Sequence, residues 1–279
     1  VKRVGFAVNP TSEVALELRD RLVGWCAVRG IEAFDREARD LAGLAAALPG
    51  SEMLVVLGGD GTFLRAARAA AVTDVPIVGL NAGKVGFLSQ ADADRAEDLM
   101  ALLHAGRYRV GARAMLEATV LPGGEAEGAR VYHGLNDAAI VRGGAARVVR
   151  MAVAIGGSHT ATWIADGLVV STPTGSTAYS FSAGGPILEP TSRNLVLTPI
   201  AAYLSAIRSV VVGEEHAIEV RILETPGCLV SIDGHEDVPL SAGDLVRIRL
   251  RERPLRFVEP DGALPFWELL RRKAELLPS

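Results

Sequence analysis

Apolar residues in the first hundred positions come in short unbroken runs. Between the runs they recur every three or four residues. "RVGFAVN" (3–9) reads as a strand buried on both faces. Thr11-Ser12 is a helix-capping pair, and Val14, Leu18, Leu22 and Cys26 then follow at i+4 along one helical face. Gly30 stands where that helix should stop. "IEAFD" resumes extended structure, and "LAGLAAAL" (41–48) predicts a short helix ended by Pro49-Gly50. "MLVVL" (53–57) predicts a strand, "FLRAARAAA" (63–71) a helix, "VPIVGL" (75–80) a strand and "DADRAEDLMALLHAG" (92–106) a helix. This alternation predicts a parallel sheet with right-handed crossovers.

After about residue 107 the pattern changes. "RAMLEATVL", "ARVYHGLNDAAIV", "RVVRMAVAIGG" and "HTATWIADGLVVS" are strand-like, with glycine-rich turns between them. "NLVLTPI", "SVVVG", "HAIEVRIL", "CLVSIDG" and "DLVRIRL" continue the series, which predicts a β-rich domain. "PFWELLRRKAELL" (265–277) closes the chain as an amphipathic helix, with Trp267, Leu270, Ala274 and Leu277 along one side. The expected organisation is an α/β domain over 1–107, a β-rich domain over 108–258 and a terminal helix over 259–279. Ligands are expected at the carboxyl ends of the first domain's strands and in a cleft between the domains.

Bulk composition narrows the function. The 279 residues are 49% hydrophobic and 22% charged, as in a folded globular protein. A net charge of −4 offers no basic field for nucleic acid, and the three Trp are too scattered to form a stacking platform. "LVRIRLRERPLRF" (245–257) alternates basic with apolar residues and reads as a solvated strand face. No apolar run is long enough for a membrane-spanning helix, and "VKRVGFAVNP" lacks a signal-peptide core. Cys26 and Cys228 lie far apart in apolar sequence, so buried thiols in a reducing cytoplasm are expected. The five histidines form no metal-ligand pattern, and "HEDVP" (235–239) ends in Pro where a zinc site would need His.

The chemistry concentrates in connections. Gly58, Gly59, Asp60, Gly61 and Thr62 link a strand to a helix. Small residues there admit a ligand close to the backbone, and the helix N-terminus suits a phosphate. The loop fits neither standard nucleotide fingerprint. "NAGKVG" carries Val85 where a phosphate-binding lysine loop needs Ser or Thr, and no Gly-x-Gly-x-x-Gly occurs. Three roles are open to Asp60: capping the helix, holding a divalent cation, or accepting a proton in phosphoryl transfer.

A second stretch, "DGLVVSTPTGSTAYSFSAGGPILEP" (166–190), is dense in hydroxyls and low in charge, which suits wrapping a polar ligand. Tyr179 adds a ring face. "GLNDAAIV" (134–141) sets Asn136 and Asp137 inside a strand-like run, where a turn or bulge is the plain account. "GLNAGKVGFLS" (79–89) is another glycine-rich exit from a buried strand, and its Asn81 and Gly83 are candidates to line the same cleft.

In order along the chain, "GGDGT", "NAGKVGFLS", "LNDAAI" and "DGLVVSTPTGSTAYSFSAGGPI" resemble the motifs of the NAD kinase (ATP-NAD kinase) family, and "LVLTPIA" and "VSIDG" extend the likeness over most of the chain. "GGDGT" alone is shared with lipid kinases and phosphofructokinases; the serine- and threonine-rich segment is specific to the family. The resemblance implies an N-terminal Rossmann-like parallel-sheet domain and a C-terminal β-sandwich-like domain, with the terminal helix packing back on the first. It implies homodimers or homotetramers. It also implies transfer of the ATP γ-phosphoryl group to the 2′-hydroxyl of the adenosine ribose of NAD, giving NADP, with Mg²⁺ as the divalent cation.

Carried over by position, Asp60 is the base on that hydroxyl, with Gly61 beside it. Phe87 and Leu88 touch the dinucleotide, and Asn136 and Asp137 hold the nicotinamide-side ribose. Asp166, Thr177, Ala178, Tyr179 and Ser182 make adenine and amide contacts, partly across a subunit interface. Thr174, Gly175 and Ser176 lie near the phosphates, as do Gly58, Gly59 and Thr62. No protein metal ligand is assigned. Asp233 and His235 are further candidates to face the site.

Three departures qualify the match. Asp137 stands where the family usually has Glu, so a direct bond to the ribose becomes longer or water-mediated. Ile164 stands where many members have Arg. "AAYLSAIRSVVV" after "LTPI" is looser than the family pattern. Two other readings of the motifs are a lipid or sphingoid-base kinase, which would need a membrane-facing surface, and a non-catalytic NAD(P)(H) sensor, against which the retained Asp60 argues.

Overall fold

The five apolar residues Met53–Leu57 are enclosed on both faces, because helices cover both sides of the sheet to which they belong. The structure is a computed structural model; it describes residues 1–83, 86–143, 148–203, 207–225 and 227–276, the side chains of 274–276 excepted. The chain forms two compact units, one of Val1–Ala112 with Leu255–Ser279, the other of Arg113–Pro254.

In the first unit the order is β1 (Arg3–Val8), α1 (Glu13–Val28), β2 (Glu32–Glu37), α2 (Leu41–Ala47), β3 (Met53–Leu57), α3 (Asp60–Thr73), β4 (Ile77–Asn81), β5 (Ser89–Asp92), α4 (Ala96–His104) and β6 (Tyr108–Arg113). The second unit contributes β7 (Leu116–Leu121), β8 (Arg130–Gly134), β9 (Asp137–Arg142), β10 (Val149–Ile155), β11 (Ser158–Ala165) and β12 (Gly167–Ser171). A short α5 (Tyr179–Ser182) follows, then β13 (Asn194–Ile200), β14 (Val210–Gly213), β15 (Ile218–Glu224), β16 (Cys228–Ile232), β17 (Glu236–Leu240) and β18 (Leu245–Leu250). The chain then returns to the first unit with β19 (Leu255–Pro260) and α6 (Phe266–Leu276).

The first sheet runs β2-β1-β3-β4-β19-β6, with β5 also on β4. Its β1–β2, β1–β3, β3–β4, β4–β5 and β4–β19 pairs are parallel. Strand residues alternate between two helical layers. Phe6, Val55 and Val258 share a cluster with Leu18 and Leu22 of α1 and with Leu99 and Met100 of α4. On the other side Phe63 of α3 meets Phe257 of β19, ring centroids 5.7 Å apart. Ser12 caps α1 by accepting from the Ala15 amide, and Gly30 follows the helix in the left-handed region at φ 66°. The buried face of α1 is Ala15, Leu18, Leu22 and Cys26. Val14 is 43% exposed, because a true 3.6-residue turn carries the stripe to Ala15.

The second unit is a sandwich of two six-stranded sheets, β11-β10-β15-β18-β7-β8 and β14-β13-β12-β9-β16-β17, paired antiparallel throughout. Alternate residues from both sheets fill one core, among them Met151, Ile222 and Ile248 against Ile140, Val170 and Val230. This is the expected architecture of a parallel α/β unit, a β-sandwich and a terminal helix.

Two expectations give way. The run 245–257 is not one strand. Arg253-Pro254 breaks it, and β18 and β19 belong to different sheets. In α6 Trp267 is 53% exposed, and the helix instead packs through Phe266, which meets Phe87. The expected contributions of Ala274 and Leu277 lie outside the described side chains.

Candidate active site

Asp60 does not cap a helix; it is the first residue of one. Gly59 is the N-cap of α3, in extended conformation, and Asp60 opens the first turn. An anion is favourable there, since the amides of the first turn carry the positive end of the helix dipole. The carboxylate reaches across to the connection between β4 and β5. Phe87 donates its amide to Oδ2 at 2.8 Å, and Leu88 donates to Oδ1 at 3.2 Å. These two bonds join the first two motifs of the sequence. A Cβ on Gly86 would collide with Asp60 Oδ1, so a glycine is needed for the carboxylate to lie so close to the backbone.

The rest of "GGDGT" serves this turn. Gly58 follows β3, and a Cβ there would meet Thr62 Oγ1 at 2.5 Å. Thr62 is buried under the turn, while Gly59 and Gly61 are half-buried. Asn81 anchors the β4–β5 connection: its Nδ2 donates to the Gly83 carbonyl and to Asp92 Oδ1, and its Oδ1 accepts from the Gly83 amide. Leu88 is buried and Phe87 half-buried.

In the second unit, Asn136 and Asp137 sit where the chain leaves one sheet for the other, between β8 and β9. The plain turn reading of this stretch is correct for Asn136, and Asp137 starts the strand. The crossing is held by Asp233, whose Oδ2 accepts from Leu135 at 2.8 Å and whose Oδ1 accepts from Asn136 and Asp137 at 2.7 and 3.1 Å. Asp233 itself lies at φ 52°, an uncommon conformation for a residue with a side chain. Burial first, then the nearby Asp233 carboxylate, raises Asp137 from 3.8 to about 7.

The hydroxyl-rich segment folds over this crossing. Thr172 donates its amide to the Asn136 carbonyl at 2.8 Å and its hydroxyl to the Leu135 carbonyl at 2.5 Å. A 3-10 turn, Thr174–Thr177, then leads into α5. Gly175 presses on Asn136, and a Cβ there would strike the Asn136 carbonyl. Ser176 is buried; its hydroxyl donates to Pro173 O and accepts from the Leu188 amide, which ties the segment's two ends together. Thr177 donates to the Thr174 carbonyl at 3.4 Å, and Ser182 is exposed. The hydroxyls of Ser171 and Thr174 are buried without a protein partner. Such atoms are rare in folded proteins and mark places where another molecule completes the bonding.

A cavity of about 520 Å³ opens on this face, lined by Asn136, Asp137, Ala178, Tyr179, Ser231 and Asp233 among others. Four of the sequence candidates thus meet there, together with Asp233. Asp166 is not in its lining; it is paired at 3.0 Å with Arg142, a residue the sequence did not single out. His235 is exposed and also outside the lining. Within the described residues no group of three or more His, Cys, Asp or Glu could hold a metal ion. No described helix is long and apolar enough to cross a membrane.

Comparison with known proteins fits this arrangement. Residues 42–108 match the ATP-NAD kinase N-terminal domain, and residues 135–260 match the ATP-NAD kinase C-terminal domain. The NAD kinase of Symbiobacterium thermophilum is 43% identical over 223 residues, 80% of this chain and 78% of the relative. The NAD kinase of Heliobacterium modesticaldum is 35% identical over 283 residues, covering 98% of each. Among solved structures, yeast NADH kinase complexed with NADH superposes with a TM-score of 0.86 at 20% identity, over 100% of this chain and 89% of the other. An NAD kinase from Archaeoglobus fulgidus in complex with ATP gives 0.75 at 23% identity, over 99% and 100%. At these identities the two structures establish the shared fold.

Proposed function

The chain belongs to the ATP-NAD kinase family, and from that premise we propose how its residues perform the reaction. It is a phosphotransferase: the γ-phosphoryl group of ATP passes to the 2′-hydroxyl of the adenosine ribose of NAD, and NADP is formed. The observation that carries the assignment of roles is the Asp60 carboxylate at the head of α3, gripped by the Phe87 and Leu88 amides.

Asp60 accepts the proton of the 2′-hydroxyl as that oxygen attacks phosphorus. A carboxylate with both oxygens engaged by amides keeps a fixed plane, so its remaining lone pairs point in a set direction. Gly58, Gly59, Gly61 and Thr62 admit the phosphates to the head of α3, where the helix dipole offsets their charge. Gly175 and Ser176 shape the second phosphate-side surface. Phe87 and Leu88 contact the dinucleotide. Asn136 and Asp137 receive the nicotinamide-side ribose, while Asp166, Thr177, Ala178, Tyr179 and Ser182 bind adenine and amide groups. Thr174 stands with Gly175 and Ser176 on the phosphate side, and its partnerless hydroxyl supports that place.

Magnesium enters as part of the ATP substrate. Mg²⁺ characteristically rides on substrate phosphates, with one or two carboxylates at most. On the family resemblance and the two buried free thiols, we place the protein in the cytoplasm as a homodimer or homotetramer; light scattering in solution measures the assembly.

Asp60→Asn tests the central assignment. The expected outcome is a loss of about 10²–10⁴ in turnover, with the fold and NAD affinity kept, read by coupled NADP formation, calorimetric titration and thermal melting. Near-normal NADP formation by this variant would overturn it.

A further inference from the structure

The amides that grip Asp60 come from a connection rich in glycine, Gly83 and Gly86 among its residues. Gly86, next to Phe87, brings no side chain of its own to hold the backbone there. Something outside it must hold Phe87 and Leu88 in place if the carboxylate is to keep one orientation. On the Leu88 side the sheet does this, since Leu88 is buried and its carbonyl packs against Gly79 of β4. On the Phe87 side the sheet does not reach.

The support there comes from the far end of the chain. Phe266 of α6 lies against the Phe87 ring, centroids 6.5 Å apart and planes tilted by 42°. The Lys273 ammonium sits over the same ring, 4.2 Å from its centroid. Phe266 and Lys273 are seven residues apart, two turns of helix, so they share one face of α6. Glu268 meanwhile draws Arg271 and Arg272 into ion pairs, so Lys273 is the basic residue of this face that meets the ring. A half-buried phenylalanine is thus held by a tilted ring contact and a cation together.

We propose that Phe266 and Lys273 are positioning residues for phosphoryl transfer: they fix the Phe87 ring, the ring fixes the Phe87 and Leu88 amides, and the amides aim Asp60. This rests on Asp60 being the base. The terminal helix is therefore a working part of the site, although neither residue needs to touch a substrate.

The test is steady-state kinetics on the full-length protein. Lys273→Met is expected to lower kcat about two- to fivefold, and Phe266→Ala about tenfold, with KM for NAD and ATP within twofold of the parent. Lys273→Arg restores kcat, because a guanidinium also sits over an aromatic face. Arg272→Gln weakens an ion pair on the same helix without touching Phe87 and leaves kcat unchanged. The proposal is overturned if Lys273→Met keeps full kcat, if Lys273→Arg fails to restore it, or if Arg272→Gln loses as much. The Lys273 pair carries the decision even where Phe266→Ala lowers stability. Asp60→Asn runs alongside. If that variant is inactive while the helix variants are normal, the helix has no positioning role and the base assignment stands. If Asp60→Asn is active, the base assignment itself fails.

Discussion

Asp137 is the side chain whose protonation should be felt most. Its carboxyl is raised from 3.8 to about 7 by burial and by the neighbouring Asp233. In the unfolded chain it ionises near 4. Between those values the native state holds a proton that the unfolded state has released, so stability falls as pH climbs through that window, by at most roughly 1.4 kcal/mol per pH unit, and levels off above it. Asp137→Asn removes the effect. Its melting temperature should change less between pH 5 and pH 8 than the parent's, and an equal change in both proteins would refute the shift. The sequence pointed at Asp137 only as a polar oddity in a strand. Its partner Asp233 lies almost a hundred residues away, and a carboxylate that satisfies three distant amides leaves no local signature. The Asp60–Phe87 bond was hidden for the same reason: both motifs were readable, the bond between them was not.

Among the elements, periodicity served well where an element buries a broad face and poorly at narrow ones. β1, β3 and β4 were legible because each is a short apolar run, whereas the edge strand β2 is mostly polar. The i+4 stripe in α1 drifted off the true face by one residue at its start, exposing Val14. In α6 none of the described side chains is fully buried, and Trp267, the bulkiest candidate, points to solvent. The hydroxyl-rich segment is the element whose purpose the structure sharpens most. Much of its bonding is to itself and to the β8–β9 crossing, so it is a rigid cover with a few free hydroxyls. Gly175→Ala should therefore act through packing. A methyl there meets the Asn136 carbonyl, which cannot swing away as a side chain would. The expected result is a loss of roughly 1–3 kcal/mol in stability with weakened NAD binding, measured by urea unfolding and calorimetry.

At the scale of the whole molecule, the first unit is sewn from both ends of the chain. β19 lies between β4 and β6, and its Leu255, Phe257 and Val258 are fully enclosed. Burying each such side chain is worth roughly 1.5–3 kcal/mol. A chain that ends at Pro254 should lose the cooperative melt of the first unit while the sandwich, continuous over Arg113–Pro254, still unfolds in a single transition. Calorimetry distinguishes the two; a truncated chain with both transitions intact would show that β19 is dispensable. The sequence marks a terminal helix returning to the first domain, but reading 245–257 as a solvated strand face does not separate β19 from β18: Pro254 marks a break, and nothing local says that the chain changes sheet there.

That threading has a consequence for how the protein is made. A ribosome delivers residues 1–112 before the sandwich, yet their sheet lacks β19, and β6 lacks the neighbour that joins it to β4, until residues 255–260 have followed the sandwich. Meanwhile the edge of β4 and the inner side of α3 face the crowded nascent environment unfinished, the kind of surface on which chaperones act. The second unit, emerging later, has all its strands first. For this chain the order of completion reverses the order of synthesis, and the segment bearing Asp60 matures only after the sandwich has been made.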